Sequence, residues 1–228
     1  MAGNQWQPAQ VLRIFPAVLA LIAAAWVAFE GISRLVPESG TDLDHRVVLS
    51  LRSSSDPGRM AGPEVLEEMM RDFTALGGYA VLVSTILCFS TYLSIRSDRY
   101  MVRFFVGTCV TGYIVSMLMK KLVGRDRPSI VPHLSHVETS SFPSTHSMMS
   151  VITFLTIGVL VAWHAEDRRL QRLALGTPLC LTLFVGISRV CMGVHFPTDV
   201  LAGWCAGLLW SWACFSFAGN RLQSSWKS

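Results

Sequence analysis

Long apolar blocks alternate with short polar segments along this chain, and this pattern predicts membrane-spanning helices. Six blocks are long enough, or nearly so, to cross the hydrocarbon of a bilayer at ~20 residues per helix. They lie near residues 13–36, 78–95, 101–119, 146–163, 173–188 and 198–217. The predicted fold class is therefore all-α: an integral membrane bundle of six transmembrane helices, in one domain over residues 1–228.

The polar stretch 37–77, between the first two spans, carries two weaker helical patterns. Apolar residues recur at helical spacing from Leu43 to Leu51, and again from Val65 to Leu76 opposite a row of charged side chains. Such patterns are typical of short amphipathic helices that lie on a bilayer surface or cover a bundle. We expect an extramembrane cap here, either as a lid without substrate contact or as a guide for lipid.

Composition and charge agree with a membrane protein. Hydrophobic residues make up 51% of the chain and charged residues 15%, which is far from the balance of a soluble domain. The net charge of +4 is spread over the loops rather than gathered on one face or arm. We therefore predict no nucleic-acid partner.

The basic loops predict how the bundle is oriented. Two short loops are rich in arginine: Arg96, Arg99 and Arg103 in the first, Arg168, Arg169 and Arg172 in the second. Under the positive-inside rule these loops mark the cytoplasmic side. The opposite face carries almost as many basic residues: Lys120, Lys121, Arg125, Arg127 and Arg189. The assignment is persuasive only if those five residues have another role.

Three polar clusters meet at that opposite face in the six-helix prediction. Residues 120–128 close the third span, residues 143–146 open the fourth, and residues 188–199 link the fifth and sixth. Guanidinium groups match phosphate oxygens in pairs, and a lysine adds a point charge. The start of the fourth span adds free backbone N–H groups and the hydroxyls of Ser144 and Thr145. Together the clusters predict a phosphate-binding cradle that faces water.

Two histidines in these clusters indicate turnover rather than binding alone. Asp199 lies four residues after His195, close enough to hold one ring nitrogen and leave the other free as a nucleophile or base. His146 can donate a proton to a departing oxygen. Each residue alone has a simpler explanation, such as a surface histidine or a helix-capping aspartate. The combination is what favours chemistry.

The spacing within these clusters also resembles a known signature. The three segments are Lys120 with Arg127-Pro128 after six intervening residues, Pro143-Ser144-Thr145-His146, and Ser188-Arg189 followed by His195 and Asp199. In this order they closely resemble the three-part signature of the phosphatidic acid phosphatase type 2 superfamily. The resemblance covers the third to sixth spans and implies a six-helix membrane phosphatase that needs no metal or other cofactor.

The resemblance also implies a role for each residue. His195 would be the nucleophile that forms a phosphohistidine, Asp199 its orienting partner, and His146 the acid that protonates the leaving group. The phosphate would be held by Lys120, Arg127, Ser144 and Arg189. The signature usually has glycine where this chain has Thr145, whose side chain restricts the backbone but adds a hydroxyl. We expect this change to alter selectivity rather than abolish activity.

We therefore predict a lipid phosphatase whose site lies on the periplasmic face of a bacterial inner membrane, or on the lumenal face of an endomembrane. Candidate substrates are a polyprenyl pyrophosphate, phosphatidylglycerophosphate, phosphatidic acid and the phosphates of a lipid A. One alternative is a non-catalytic anion or lipid transporter that uses the same cradle. Another is a metal-dependent hydrolase that would use His133, His136 and Glu138, which lack the helical spacing of a zinc-hydrolase motif.

Two further features stay open at this point. Lys121 and Arg125 are not fixed by the signature, and would either recruit an anionic headgroup or lie at the membrane interface. Gly203 and Gly207, four residues apart in the sixth span, allow two helix backbones to approach closely. That approach would occur within the bundle or, alternatively, across a homodimer.

Overall fold

The structure, a computed structural model, describes residues 39–96, 99–135 and 139–225. Eight α-helices lie in these ranges: α1 (Asp42–Ser50), α2 (Glu64–Leu76), α3 (Tyr79–Ile95), α4 (Arg99–Val123), α5 (Thr145–Ser150), α6 (Thr156–His164), α7 (Arg168–Cys191) and α8 (Pro197–Ser225). A π-helical turn, Val151–Leu155, joins α5 to α6. The described part of the chain is therefore all-α, as predicted.

Four helical segments are long and apolar enough to cross a membrane: α4, the combined α5–α6 segment, α7 and α8. The pair α2 and α3 passes the same test as one broken span, bent by 49°. The described ranges thus hold four spans, or five if the bent pair is counted. The predicted first span, residues 13–36, lies outside the described residues.

The helix α2 corresponds to the second amphipathic helix of the sequence prediction, which placed it on the bilayer surface or over the bundle. It runs into α3 at Gly77-Gly78 with a bend of 49°. It also contacts α7: the rings of Phe73 and Phe184 stack at 4.6 Å, and the hydroxyls of Thr74 and Ser188 lie 2.7 Å apart. Tertiary packing therefore holds α2 against the bundle.

The helix α1 covers the end of the bundle where α8 begins. Thr41 caps α1, and it forms a capping box with Asp44, with both reciprocal hydrogen bonds at 3.1 Å. Val48 is fully buried in a cluster that includes Phe196 and Val200 of the α8 end. The predicted amphipathic helix over Leu43–Leu51 thus packs on the protein through its apolar face.

Gly203 and Gly207 lie where α8 crosses α5. A Cβ added at Gly203 would lie 2.6 Å from the carbonyl oxygen of Ser144, and one added at Gly207 would lie 2.7 Å from that of Met148. Only hydrogen at these positions lets the two backbones come so close. The glycine pair is therefore used within the bundle, and a homodimer would need another surface.

Gly203→Ala is expected to destabilise the protein by roughly 1–3 kcal/mol, because the added methyl group meets backbone that cannot rotate away. Activity should fall as well, since Ser144 begins the helix that carries His146. The melting temperature in detergent measures the first effect. The control is Gly107→Ala on α4, where an added Cβ meets nothing within 4 Å. Equal melting temperatures for the two variants would contradict the close approach.

Candidate active site

The three polar clusters meet at one end of the bundle. The backbone N–H of Ser144 donates to the carbonyl of Asp199 at 3.0 Å, which joins the start of α5 to the start of α8. The N–H of Leu134 donates to the carbonyl of Met192 at 3.0 Å, which joins the α4–α5 loop to the α7–α8 loop. Short connections and these bonds therefore bring together clusters that are far apart in sequence.

His195 and Asp199 form a buried pair. His195 lies in the α7–α8 loop, is 1% exposed, and has its Nδ1 atom 3.4 Å from Oδ2 of Asp199. The same oxygen accepts hydrogen bonds from the N–H of Phe196, at 2.8 Å, and from the hydroxyl of Ser141. One oxygen of Asp199 therefore contacts both the start of α8 and the imidazole.

The other ring nitrogen of His195 faces the basic groups, with Nε2 lying 3.2 Å from a terminal nitrogen of Arg127. Burial holds the pKa of His195 well below its usual range, and the positive charges of Arg189, Arg127, Lys120 and His146 lower it further. A neutral imidazole keeps the lone pair that attack on phosphorus requires.

Arg127 and Lys120 are fixed by carbonyl groups of the loops. Arg127 donates from Nε to the carbonyl of Thr139 at 2.7 Å and from a terminal nitrogen to that of Val194 at 2.6 Å. Lys120 donates to the carbonyl of Ser140. Burial lowers the pKa of Arg127 to about 10, so its side chain remains a cation at neutral pH. Both charges are thus held in place before any substrate binds.

Arg189 differs from the other cations because most of its donors are uncommitted. It lies in the last turn of α7, is 1% exposed, and has no partner among the described residues for Nε or for one terminal nitrogen. A buried guanidinium with unpaired donors is costly unless an anion completes it. The geometry of these donors fits phosphate oxygens.

The hydroxyls of Ser144 and Thr145 are engaged differently from each other. Ser144 caps α5 and accepts from the N–H of Ser147 at 3.5 Å and from its hydroxyl at 3.0 Å. Because a hydroxyl also carries one donor, Ser144 can still donate to an anion. Thr145 accepts a bond of 3.1 Å from Ser116 on α4. The residue that replaces the usual glycine therefore ties α5 to α4.

His146 lies in the first turn of α5, beside the bend between α2 and α3. It is half-buried, and a Cβ added at Gly77 would lie 3.2 Å from its Cβ and Cδ2 atoms. The bond from Ser144 to the carbonyl of Asp199 places the start of this helix beside the segment that carries His195. The two histidines thus differ in exposure, with His195 enclosed and His146 toward the bend.

Arg125, Asp44 and Ser141 belong to this site although the sequence did not predict it. Arg125 is 2% exposed, and its side chain points into the protein. Its guanidinium lies 2.5 Å from Oδ1 of Asp199 and 3.2 Å from Oδ2 of Asp44. The position of Arg125 in a basic cluster was a signal, whereas Asp44, 81 residues away, gave none. Lys121 is exposed.

The metal-site hypothesis rested on a loop that is only partly described. His136 and Glu138 lie outside the described residues. The Nε2 atom of His133 lies 2.7 Å from the carbonyl oxygen of Pro128. Within residues 39–96, 99–135 and 139–225, no group of three or more His, Cys, Asp or Glu side chains is arranged to hold a metal.

Comparisons with known proteins find a family model and curated relatives that this chain resembles. The family model described as PAP2 superfamily matches residues 100–223, more than half of the chain. Phosphatidylglycerophosphatase B of Bacillus subtilis (strain 168) is 30% identical over 148 residues, covering 63% of this chain and 71% of that protein. Lipid A 1-phosphatase of Rhizobium etli is 31% identical over 105 residues, covering 42% of this chain and 41% of that protein.

A solved structure is similar over nearly the whole chain. It is the crystal structure of the first transmembrane PAP2 type phosphatidylglycerolphosphate phosphatase from Bacillus subtilis. The TM-score is 0.67 and the sequence identity 25%, and the alignment covers 92% of this chain and 96% of the other.

Proposed function

This chain belongs to the PAP2 superfamily, and on that basis we propose that it is a lipid phosphatase whose reaction passes through a phosphohistidine at His195. The observation that carries the proposal is the buried pair of His195 and Asp199 beside the uncommitted donors of Arg189. A binding site needs the cations, but only catalysis needs an oriented, neutral imidazole among them.

Substrate binding uses the cations that are already in place. The two unpaired nitrogens of Arg189 take phosphate oxygens. Lys120 in the last turn of α4 and Arg127 in the α4–α5 loop add charge. Ser144 contributes its hydroxyl hydrogen from the start of α5. These groups neutralise the phosphate and favour the charge that gathers on its equatorial oxygens during transfer.

In the first chemical step, Nε2 of His195 attacks phosphorus, and the bond from phosphorus to the leaving oxygen breaks. His146 gives a proton to that oxygen, which departs as an alcohol or, from a pyrophosphate, as a lipid monophosphate. Asp199 accepts the Nδ1–H hydrogen bond and stabilises the positive charge on the phosphorylated ring. In the second step His146 takes a proton from water and the water oxygen attacks phosphorus. The bond between phosphorus and Nε2 of His195 breaks, inorganic phosphate leaves, and the neutral imidazole of His195 is restored.

Comparison and charge support a choice of lipid and of membrane face. The chain is an integral membrane protein. Its similarity to phosphatidylglycerophosphatase B makes phosphatidylglycerophosphate the first candidate substrate, ahead of phosphatidic acid, lipid A phosphates and polyprenyl pyrophosphates. The arginines at the starts of α4 and α7 favour a site on the face opposite the cytoplasm, and the bacterial relatives favour the periplasmic face of an inner membrane.

A lipid panel tests this proposal. Purified protein in detergent should release phosphate from at least one of these four lipids in the presence of EDTA, because cationic side chains supply the charge stabilisation. Adding Mg²⁺ or Zn²⁺ back to the treated protein is the control, and should not increase the rate. Activity that EDTA removes and a divalent cation restores would overturn the cation-only mechanism.

A further inference from the structure

Asp44 in the cap helix α1 makes more contacts than a capping residue needs. Its carboxylate is 1% exposed and accepts the backbone bond of the capping box from Thr41. It also accepts from the N–H of Thr198 at 3.1 Å, from the Thr198 hydroxyl at 2.9 Å, and from Arg125 at 3.2 Å. Thr198 lies in the first turn of α8, immediately before Asp199. A carboxylate of α1 therefore also caps α8.

Arg125 connects this carboxylate to Asp199. One terminal nitrogen of Arg125 lies 2.5 Å from Oδ1 of Asp199, and the other lies 3.2 Å from Oδ2 of Asp44. The guanidinium carbon lies 4.4 Å from the ring centroid of Phe196, which fixes the plane of the group from one side. The rigid fork of arginine thus spans two carboxylates with two separate nitrogens, whereas a lysine offers a single nitrogen on a flexible stem.

The two carboxylate oxygens of Asp199 have different partners. Arg125 occupies Oδ1, so Oδ2 is turned toward Nδ1 of His195 and the hydroxyl of Ser141. A carboxylate that could rotate would exchange these oxygens and lose the alignment of the imidazole. Asp44 limits that rotation twice, because it holds both the guanidinium and the first turn of α8.

We propose that Asp44 is a positioning residue for catalysis, which acts through Arg125 and Thr198 to fix the carboxylate of Asp199 against His195. This inference rests on the proposed function of His195 and Asp199. It also gives the cap a role that neither sequence hypothesis contained, since α1 is part of the apparatus that aligns the nucleophile. Docking of α1 then controls turnover rather than substrate entry.

The test compares Asp44→Asn with Asp42→Asn. Both changes remove one carboxylate from the first turn of α1, but Asp42 is exposed and Asp44 is buried. We expect Asp44→Asn to lower kcat by about 10-fold or more while KM changes less than about 3-fold, as for loss of an interaction that matters in the transition state. Asp42→Asn should retain both constants.

Binding of inorganic phosphate separates positioning from damage to the cradle. The increase in melting temperature that phosphate causes should be the same for wild type and Asp44→Asn, because the bonds of Asp44 go to Thr41, Arg125 and Thr198 and not to the side chains proposed to hold phosphate. If Asp44→Asn has wild-type kcat, or loses the phosphate-dependent increase together with kcat, the inference is wrong.

Arg125→Lys provides a second variant in case Asp44→Asn does not fold. It keeps the charge but loses the planar pair of nitrogens that joins Asp44 to Asp199, so it should lower kcat without changing the effect of phosphate on the melting temperature. Adding Asp44→Asn to it should then reduce kcat little further, since both changes break the same connection. Fully additive losses would contradict the connection. If His195→Ala is as active as wild type, the proposed function fails instead.

Discussion

Phosphate release falls by about 10⁴-fold or more in His195→Ala, because the variant has no group that can take the phosphoryl group. The arginines and Lys120 remain, so the lipid phosphate still binds and KM or Kd changes little. The measurement is inorganic phosphate released from phosphatidylglycerophosphate by detergent-purified protein in EDTA. An acid-labile phosphoenzyme should be trapped with wild type and be absent from the variant.

His133→Ala is the matched control, since His133 lies in the α4–α5 loop and bonds to a loop carbonyl rather than to the cradle. It should retain wild-type turnover. A His195→Ala protein that binds lipid phosphate and still releases phosphate would refute the phosphohistidine. If wild type binds all of the lipids but hydrolyses none of them, the site serves transport or binding rather than hydrolysis.

Arg189→Met lowers kcat/KM by about 10²- to 10³-fold while leaving the protein as stable as wild type, or more so. Activity falls because the donors that meet the equatorial oxygens are lost. Stability does not fall, because the change removes a buried charge whose nitrogens lack partners among the described side chains. Activity and melting temperature in detergent therefore move in different directions.

Inorganic phosphate sharpens this prediction. Phosphate should increase the melting temperature of wild type, since it binds the native state, and should have little effect on Arg189→Met. Arg172→Met is the control, because Arg172 is exposed at the other end of α7. Retained stabilisation of Arg189→Met by phosphate, with normal turnover, would exclude Arg189 from the site.

The pairing of His195 with Asp199 was accessible from sequence because it is local. Four residues separate them, and a helix start places such residues on one side. The convergence of the three clusters could also be predicted from the sequence. Each pair of membrane spans returns the chain to the same face of the bilayer. The structure brings these predicted residues together, although the hydroxyl of Thr145 turns toward Ser116 on α4.

The network around Arg125 was not accessible in this way. Its two acidic partners are 81 and 74 residues distant, and only the completed fold brings them within reach. Asp44 also satisfies a local capping box with Thr41, so the sequence offered a sufficient explanation that concealed the second role. For α2 the sequence left two alternatives, the bilayer surface or the bundle, and the contact between Phe73 and Phe184 that holds it on the bundle joins residues far apart in the chain.

The π-helical turn at Val151–Leu155 limits which insertions and deletions this span tolerates during evolution. Such a turn holds one residue more than an α-helix of the same rise, and one residue corresponds to about 100° of rotation. Deleting a single residue there would leave the span long enough for the bilayer but rotate His146 relative to α6. An insertion or deletion in this segment would therefore change the direction in which His146 points. Natural variants should keep the number of residues here even where they change the side chains.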